Sequence, residues 1–387
     1  MKKLITFFLV SFLITTKLLA GAVTIQVTSG ETVTQMNTDM AAAVTAGNTD
    51  ITLQFADGGT WGASGSEVTI AVPAGVTKLT LYAPSTVVTK PVLRLNTLTY
   101  ADGLMTGGIT FDGLKIITAT ANQYLVTPTS STATRIPASL TVKNCWVEGH
   151  RAVLFSSLAT TTSELIFTNN YFKNIGTSGI INVNTGSIPK MTIRKNTFNN
   201  VGGVASGALA TDYFIDFRST NSVTSQIIFS NNTIYYPTTQ GRGLFRLSGA
   251  FTTGYIKENN NLYANGNATT YALSLLYTVV TAATTDADST NIYSNKFSGV
   301  NNTGSITTAV YTENSPSNLF VNPAADNFTI NDPNFTGKVK VGNPACFYPA
   351  TVTITGGSIV NLDYNLASGP STAKSFTFKK KKKRMVV

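Results

Sequence analysis

The residues best suited to chemistry are an aspartate and two arginines in the segments YFIDFRS (213–219) and GLFRLS (243–248). Side chains alternate between the two faces of a β-strand. If the apolar residues of these segments point inward, Asp216, Arg218 and Arg246 therefore point outward on one face. A guanidinium group is a planar fork that binds carboxylates or sulfates through two hydrogen bonds. These three residues are candidate catalytic residues, and they indicate recognition of an acidic ligand.

Loops that precede similar segments supply three candidate ligand-binding residues. Arg242 lies just before GLFRLS, and His150 and Arg151 lie just before the segment AVLFS. Two structural alternatives stay open. Asp216 and Arg246 can form a surface ion pair, which stabilises little, and His150, the only histidine, can be an ordinary loop residue.

The elements that must position these side chains repeat along the chain. Seven segments share one pattern, and their alignment places in one column Leu114, Cys145, Asn170, Asn196, Asn232, Asn260 and Asn295. The positions three before and two after this column are apolar except at Lys257, where the neighbouring Ile256 indicates a one-residue slip. Each segment is too small to bury its own apolar face, so the segments must stack on one another.

Stacking of these segments predicts a solenoid built from strands. The segments are short, are separated by Asn- and Gly-rich corners, and lack sustained helical periodicity. Stacked strands lie about 4.8 Å apart, so the column asparagines can form a side-chain ladder, and we expect them also to adopt left-handed backbone. Crossovers between parallel strands are nearly always right-handed. The predicted fold class is all-β: a single-stranded, right-handed parallel β-helix.

The two ends of the chain carry most of its charge. Residues 1–22 have the positive start, apolar run and small-residue cleavage site of a secretory signal peptide, which predicts secretion to an extracellular, periplasmic or cell-surface location. This leader carries three positive charges and the basic tail, residues 379–387, carries six, so the formal net charge of +10 leaves only one for the rest. That balance argues against a nucleic-acid partner. No later apolar run reaches the ~20 residues of a membrane span.

Between these ends we expect one solenoid domain over residues 23–349. Residues 33–46 carry apolar side chains at helical spacing and predict a short helix that precedes the strands and caps the open end. Residues 350–378 read as the start of a second, incomplete β domain. The change into KKKKKRMVV has two open interpretations, a reading-frame slip that truncated a longer protein or a solvated basic tail. Cys145 and Cys346 are predicted to be two separate buried thiols.

The asparagine column, the segment FIDFRS and the closing stretch DNFTINDPNFTGKVKVGNP (326–344) resemble secreted bacterial proteins of the pectate-lyase-like β-helix superfamily. More narrowly, they are similar to an uncharacterised branch whose members end in an FTI-x-D…F-x-GK…GDP motif. The resemblance covers residues 51–349, and Gly-Asn-Pro replaces Gly-Asp-Pro here. Residues 350–378 are similar to the opening of a β-sandwich module.

The resemblance implies carbohydrate chemistry. Pectate-type lyases abstract a proton beside a uronate carboxylate, with arginine or lysine as base and calcium as counter-ion, so Arg218 or Arg246 would be the base here. Calcium needs several converging oxygen ligands, and the sequence shows no such cluster. Asp286 and Asp288 read as a turn. We therefore predict no metal site, although the resemblance leaves calcium open as a cofactor.

Three functions stay open at this point. They are β-elimination of an acidic polysaccharide, polysaccharide binding without cleavage, and an adhesive or structural surface solenoid. The missing calcium cluster weighs against the first function and the arginine face weighs against the third. We expect a monomer whose partner is an acidic polysaccharide, with catalysis undecided.

Overall fold

The computed structural model describes most of the chain between residues 21 and 347. The described residues are 21–100, 105–120, 123–128, 137–156, 160–176, 179–183, 186–201, 214–217, 222–223, 226–236, 245–247, 255–265, 271–278, 284–286, 291–294, 297–302, 308–311, 319–332, 335 and 340–347. Arg218, Arg242, Asp288 and Asn295 lie outside them, as do residues 1–20 and 348–387.

Short strands make up nearly all of the described secondary structure. The first seventeen are β1 (Gly21–Val27), β2 (Asn48–Phe55), β3 (Thr60–Trp61), β4 (Val68–Val72), β5 (Lys78–Tyr82), β6 (Val92–Tyr100), β7 (Gly108–Asp112), β8 (Lys115–Ile117), β9 (Tyr124–Pro128), β10 (Ser139–Lys143), β11 (Trp146–Glu148), β12 (Ala152–Ser156), β13 (Thr160–Thr161), β14 (Glu164–Thr168), β15 (Tyr171–Lys173), β16 (Ile181–Val183) and β17 (Gly186–Ser187).

Sixteen further strands follow toward the C-terminus. They are β18 (Lys190–Arg194), β19 (Thr197–Asn199), β20 (Ile215–Phe217), β21 (Ser222–Val223), β22 (Gln226–Ser230), β23 (Thr233–Tyr236), β24 (Phe245–Leu247), β25 (Tyr255–Asn259), β26 (Leu262–Asn265), β27 (Tyr271–Thr278), β28 (Thr284–Asp286), β29 (Asn291–Ser294), β30 (Phe297–Asn302), β31 (Thr308–Tyr311), β32 (Phe320–Asn322) and β33 (Asn327–Ile330). The α-helix α1 (Val33–Thr45) and two 3₁₀ turns, Pro323–Ala325 and Pro344–Cys346, complete the set.

Most of these strands stack as a right-handed parallel β-solenoid with three sides. Strands β13, β17 and β21 form a small separate sheet, and β32 and β33 form an antiparallel pair. The first sheet has the order β1-β2-β5-β7-β10-β14-β18-β22-β25-β28. The second sheet contains β3, β6, β8, β11, β15, β19, β23, β26, β29 and β31, and the third contains β4, β6, β9, β12, β16, β20, β24, β27 and β30. The repeated sequence pattern therefore spans two strands with a corner between them, and the third sheet supplies the next strand of each coil.

An asparagine ladder fills the corner between the first and second sheets. The side-chain oxygen of each ladder residue accepts the backbone N–H of the ladder residue one coil earlier, at 2.9 to 3.0 Å, for Asn196, Asn232 and Asn261. Each amide also donates to a backbone carbonyl, as Asn196 does to Phe167 at 2.9 Å. Because these groups are buried, the ladder satisfies polar backbone atoms that water cannot reach. The predicted ladder is confirmed.

The expectation that the ladder residues themselves have left-handed backbone is wrong. Positive φ angles of 55° to 57° occur one position earlier, at Asn144, Asn169, Lys195, Asn231 and Asn260. That preceding residue makes the turn, and the ladder residue then points its amide inward. Outside the inner ladder, the Asn169 amide donates to Asn144 and the Asn144 amide to Asp112, both at 2.8 Å.

A one-residue slip occurs at the coil that contains β25, but in the direction opposite to the predicted one, because Ile256 pairs with Ile227 and not with Phe229. Asn261, not Asn260, continues the ladder, and Glu258 takes the place opposite Phe229. Glu258 is therefore buried in the apolar core, where its carboxyl accepts a hydrogen bond from the Tyr263 hydroxyl. Burial raises the pKa of Glu258 to about 8.

Helix α1 covers the N-terminal end of the solenoid. It packs on β1, β2 and β4, and its buried residues are Val33, Met36 and Met40. The helix begins after Thr32, whose hydroxyl accepts the N–H of Gln35 at 3.2 Å. One detail of the prediction is wrong: strand β1 precedes the helix and pairs in parallel with β2, so α1 connects the first two rungs in sequence instead of preceding all strands.

Candidate functional site

The third sheet brings two of the predicted catalytic residues opposite each other. Asn182 on β16, Asp216 on β20 and Arg246 on β24 occupy consecutive rungs at one register position. We call these three residues the polar row. Ile215 and Phe217 flank Asp216 along its strand and belong to the apolar core. By alternation, Asp216 lies on the opposite side of the sheet from these two residues.

Burial of the polar row differs from the expected exposed surface. Asp216 is 0% exposed and Asn182 is 1% exposed. A fully buried carboxylate needs a charged or hydrogen-bonding partner, since removal from water is otherwise costly. The alternative prediction was a weak ion pair between Asp216 and Arg246 at the surface. An ion pair of Asp216 would not lie at the surface, because its carboxylate is buried.

His150 occupies the corner between β11 and β12 and is completely buried. Its Nε2 atom lies 2.9 Å from the Leu95 carbonyl oxygen. Burial lowers the pKa of the imidazole to about 4, so the ring is neutral at physiological pH and its Nε2–H donates to that carbonyl. His150 is a corner residue, as the structural alternative held, and its burial removes it from the ligand-binding candidates.

Arg151 is half-buried and stands at the start of the third sheet, two rungs before Asp216. Its guanidinium carbon lies 5.4 Å from the centroid of the Tyr124 ring, a cation–π geometry. Its backbone N–H donates to the Gln123 carbonyl at 2.7 Å. Arg151 is therefore held on the side of the solenoid that carries the polar row.

A closing strap, formed by the described residues 319–332, 335 and 340–347, covers the outer side of the second sheet. Its apolar residues, including Phe320, Phe328 and Cys346, form a second core with Tyr171 and Leu262. Sequence reasoning did not predict this strap, although the stretch that carried the family resemblance lies within it. The strap removes much of the second sheet from the surfaces open to a ligand.

Polar contacts anchor the strap to the second sheet. Asp326 pairs with Lys173 at 2.7 Å and accepts hydrogen bonds from Tyr171 and Asn199. Burial raises the pKa of the Tyr171 hydroxyl. At the other end of the strap, the Asn343 amide donates to Thr197 at 3.0 Å. These contacts give Asp326 and Asn343 a structural role in anchoring the strap.

Both cysteines are buried and unpaired with each other, which confirms the prediction of two separate thiols. Burial raises the pKa of Cys145 to about 12 and that of Cys346 to about 11. A thiol is nucleophilic only as the thiolate. Neither cysteine is therefore suited to nucleophilic catalysis at neutral pH.

Among the described residues, no three His, Cys, Asp or Glu side chains converge as a metal site would require. The described part of the chain also holds no helix long and apolar enough to cross a membrane. Asp286 ends β28.

Comparison with family models and with curated proteins found no match to this chain. The relationship that the structure supports is one of fold: it is a parallel β-solenoid, the architecture of pectate-lyase-like β-helix proteins.

Proposed function

We propose that this protein is secreted and, as a monomer, binds an acidic polysaccharide on the outer side of its third sheet. One observation carries the proposal: Asp216 is fully buried and lies opposite Arg246 on the next rung. A carboxylate in that position can hold a guanidinium fork in one orientation, which lowers the entropy lost when the fork binds a uronate carboxylate. Asp216 is then a positioning residue.

The arginines supply the ligand contacts in this proposal. Arg246 and Arg218 are the proposed contacts to carboxylates of the sugar chain, and Arg242 and Arg151 are further candidate contacts. Rungs about 4.8 Å apart form a row parallel to the solenoid axis, which suits a chain-like ligand. The third sheet is preferred because it carries an arginine opposite Asp216, whereas the closing strap packs on the second sheet at Tyr171 and Leu262.

Binding is favoured over cleavage by the same geometry. A carboxylate beside a guanidinium stabilises its protonated form, so the register partner of Asp216 is a poor choice of base for β-elimination. Arg218 is the candidate base if the protein cleaves its ligand.

A panel of uronate polymers, such as polygalacturonate and alginate, tests this proposal. Arg246→Ala should weaken binding by about tenfold or more, because charge-assisted hydrogen bonds contribute roughly 1.5–3 kcal/mol, and added salt should weaken wild-type binding. Arg194→Ala is the matched control, since Arg194 lies on the first sheet and donates to Ser230.

Absorbance of the unsaturated product, measured with and without calcium, separates the two activities. Product that disappears in Arg218→Ala would make the protein a lyase, and binding without product would make it a binding protein. Absence of binding to every acidic polymer, or equal losses in Arg246→Ala and Arg194→Ala, would overturn the proposal.

A further inference from the structure

A concave site lies at the N-terminal end of the solenoid, away from the polar row. It is a cleft of about 300 Å³, the lower end of the size range of ligand pockets. Three successive rungs form it where the strands of the first sheet end, with Gln26 and Thr28 from the first, Gln54 and Asp57 from the second, and Thr86 from the third.

Two glutamine amides stand side by side at this cleft. Gln26 and Gln54 are register partners on β1 and β2, so their Cα atoms lie about 4.8 Å apart. Within the described part of the chain, neither side-chain amide has a hydrogen-bond partner. Each amide offers two donors and one acceptor, so the pair can bind neighbouring hydroxyl groups of one ligand.

The far wall of the cleft is fixed in place by backbone hydrogen bonds. The carboxylate of Asp57 accepts the N–H groups of Val88 and Thr89 at 3.3 and 2.9 Å. Gly58 donates to the Thr89 carbonyl at 3.0 Å, and Val87 donates to the Pro84 carbonyl at 3.0 Å. A wall that is already ordered costs little additional entropy when a ligand binds.

The chemistry of the lining selects an uncharged, hydroxyl-rich ligand. No arginine or lysine lines the cleft as described, and its one charged residue, Asp57, is anionic and would repel a uronate. Val27 and Phe55 supply an apolar floor, and Pro84 and Val87 an apolar wall against which the C–H face of a sugar ring can pack.

The adjoining outer face of the first sheet is also electrically balanced. Its acidic residues pair with lysines on the next rung, Asp50 with Lys78 at 2.9 Å and Asp112 with Lys143 at 3.2 Å. A sugar chain that leaves the cleft along this face would therefore meet little net charge.

We infer that this cleft binds one sugar residue of an uncharged polysaccharide, through the amides of Gln26 and Gln54. The site is separate from the arginine surface proposed for acidic polymers and does not depend on it. The protein then carries two glycan sites of different charge preference on one solenoid.

Calorimetric titration with neutral oligosaccharides of glucose, xylose and mannose tests this inference. The double variant Gln26→Ala/Gln54→Ala should weaken binding by about tenfold or more, as expected when two hydrogen bonds are lost. Thr86→Trp, at an exposed lining position, should block the cleft and abolish binding. Gln123→Ala, a glutamine outside the cleft, should bind like the wild type.

Two results would overturn the inference. One is that the wild type binds none of these neutral oligosaccharides, and the other is that the cleft variants bind them as well as the wild type does. The cleft variants should keep their affinity for acidic polymers, and Arg246→Ala should keep its affinity for neutral oligosaccharides. The measurements therefore distinguish failure of the cleft proposal from failure of the arginine-surface proposal.

Discussion

Replacing Glu258 by glutamine should stabilise the protein at alkaline pH and remove much of its pH dependence. The pKa of this carboxyl is raised from 4.5 to about 8 by burial in the core. The folded state therefore favours the protonated form, whose contribution is complete below pH 4.5 and is lost as pH rises through about 8. One pKa unit corresponds to about 1.4 kcal/mol, so the difference amounts to a few kcal/mol.

Midpoints of thermal unfolding at about pH 5 and pH 9 measure this effect. Glutamine keeps an oxygen that accepts the Tyr263 hydroxyl, so Glu258→Gln isolates the loss of the ionisable group. Glu164→Gln is the control, because Glu164 is partly exposed and pairs with Lys190 on the surface. The control should follow the wild type. If Glu258→Gln also follows the wild type at both pH values, Glu258 is not buried in the core.

Asn196→Ala should destabilise the solenoid by roughly 3–5 kcal/mol, a large effect for one substitution. Asn196 is fully buried and takes part in four side-chain hydrogen bonds. Alanine leaves the Asn170 N–H and the Phe167 carbonyl without these partners, in a place that water cannot reach.

Chemical denaturation of Asn196→Ala beside Asn331→Ala measures the cost. Asn331 is exposed on the closing strap, and surface substitutions of this kind usually change stability by less than about 0.5 kcal/mol. A loss in Asn196→Ala no larger than that of Asn331→Ala would show that the ladder does not support the stack.

The stacking of the coils was predictable because the same pattern of asparagine and apolar residues repeats along the chain. Each coil has a corner whose buried backbone N–H group needs a hydrogen-bond acceptor. The side-chain oxygen of an asparagine on the next coil is that acceptor, as in the series Asn170, Asn196 and Asn232. The predicted position of the left-handed backbone was one residue too far along the chain. Two adjacent asparagines such as Asn231 and Asn232 cannot be told apart by residue type, and the structure shows that the first of them has the positive φ angle.

The candidate site was less predictable because it depends on segments far apart in the chain. Alternation correctly predicted that Ile215 and Phe217 lie in the core, but it could not predict that Asp216 between them is completely buried. His150 is fixed by the carbonyl of Leu95, 55 residues earlier. Likewise Gln26 and Gln54 belong to no motif, and they become a pair only because β1 stacks on β2.

The central claim is that successive coils stack in register, which places position 216 opposite position 246 on the third sheet. An oxidised double variant, Asp216→Cys with Arg246→Cys, tests it by mass spectrometry of non-reduced peptides. Register partners about 4.8 Å apart fall within the roughly 4.4–6.8 Å between Cα atoms that a disulfide requires. Stacking predicts a 216–246 cross-link and none in the pair Asp216→Cys with Lys257→Cys, since Lys257 lies on the first sheet. No 216–246 cross-link, or an equal yield from both pairs, would contradict the fold and the proposed site together.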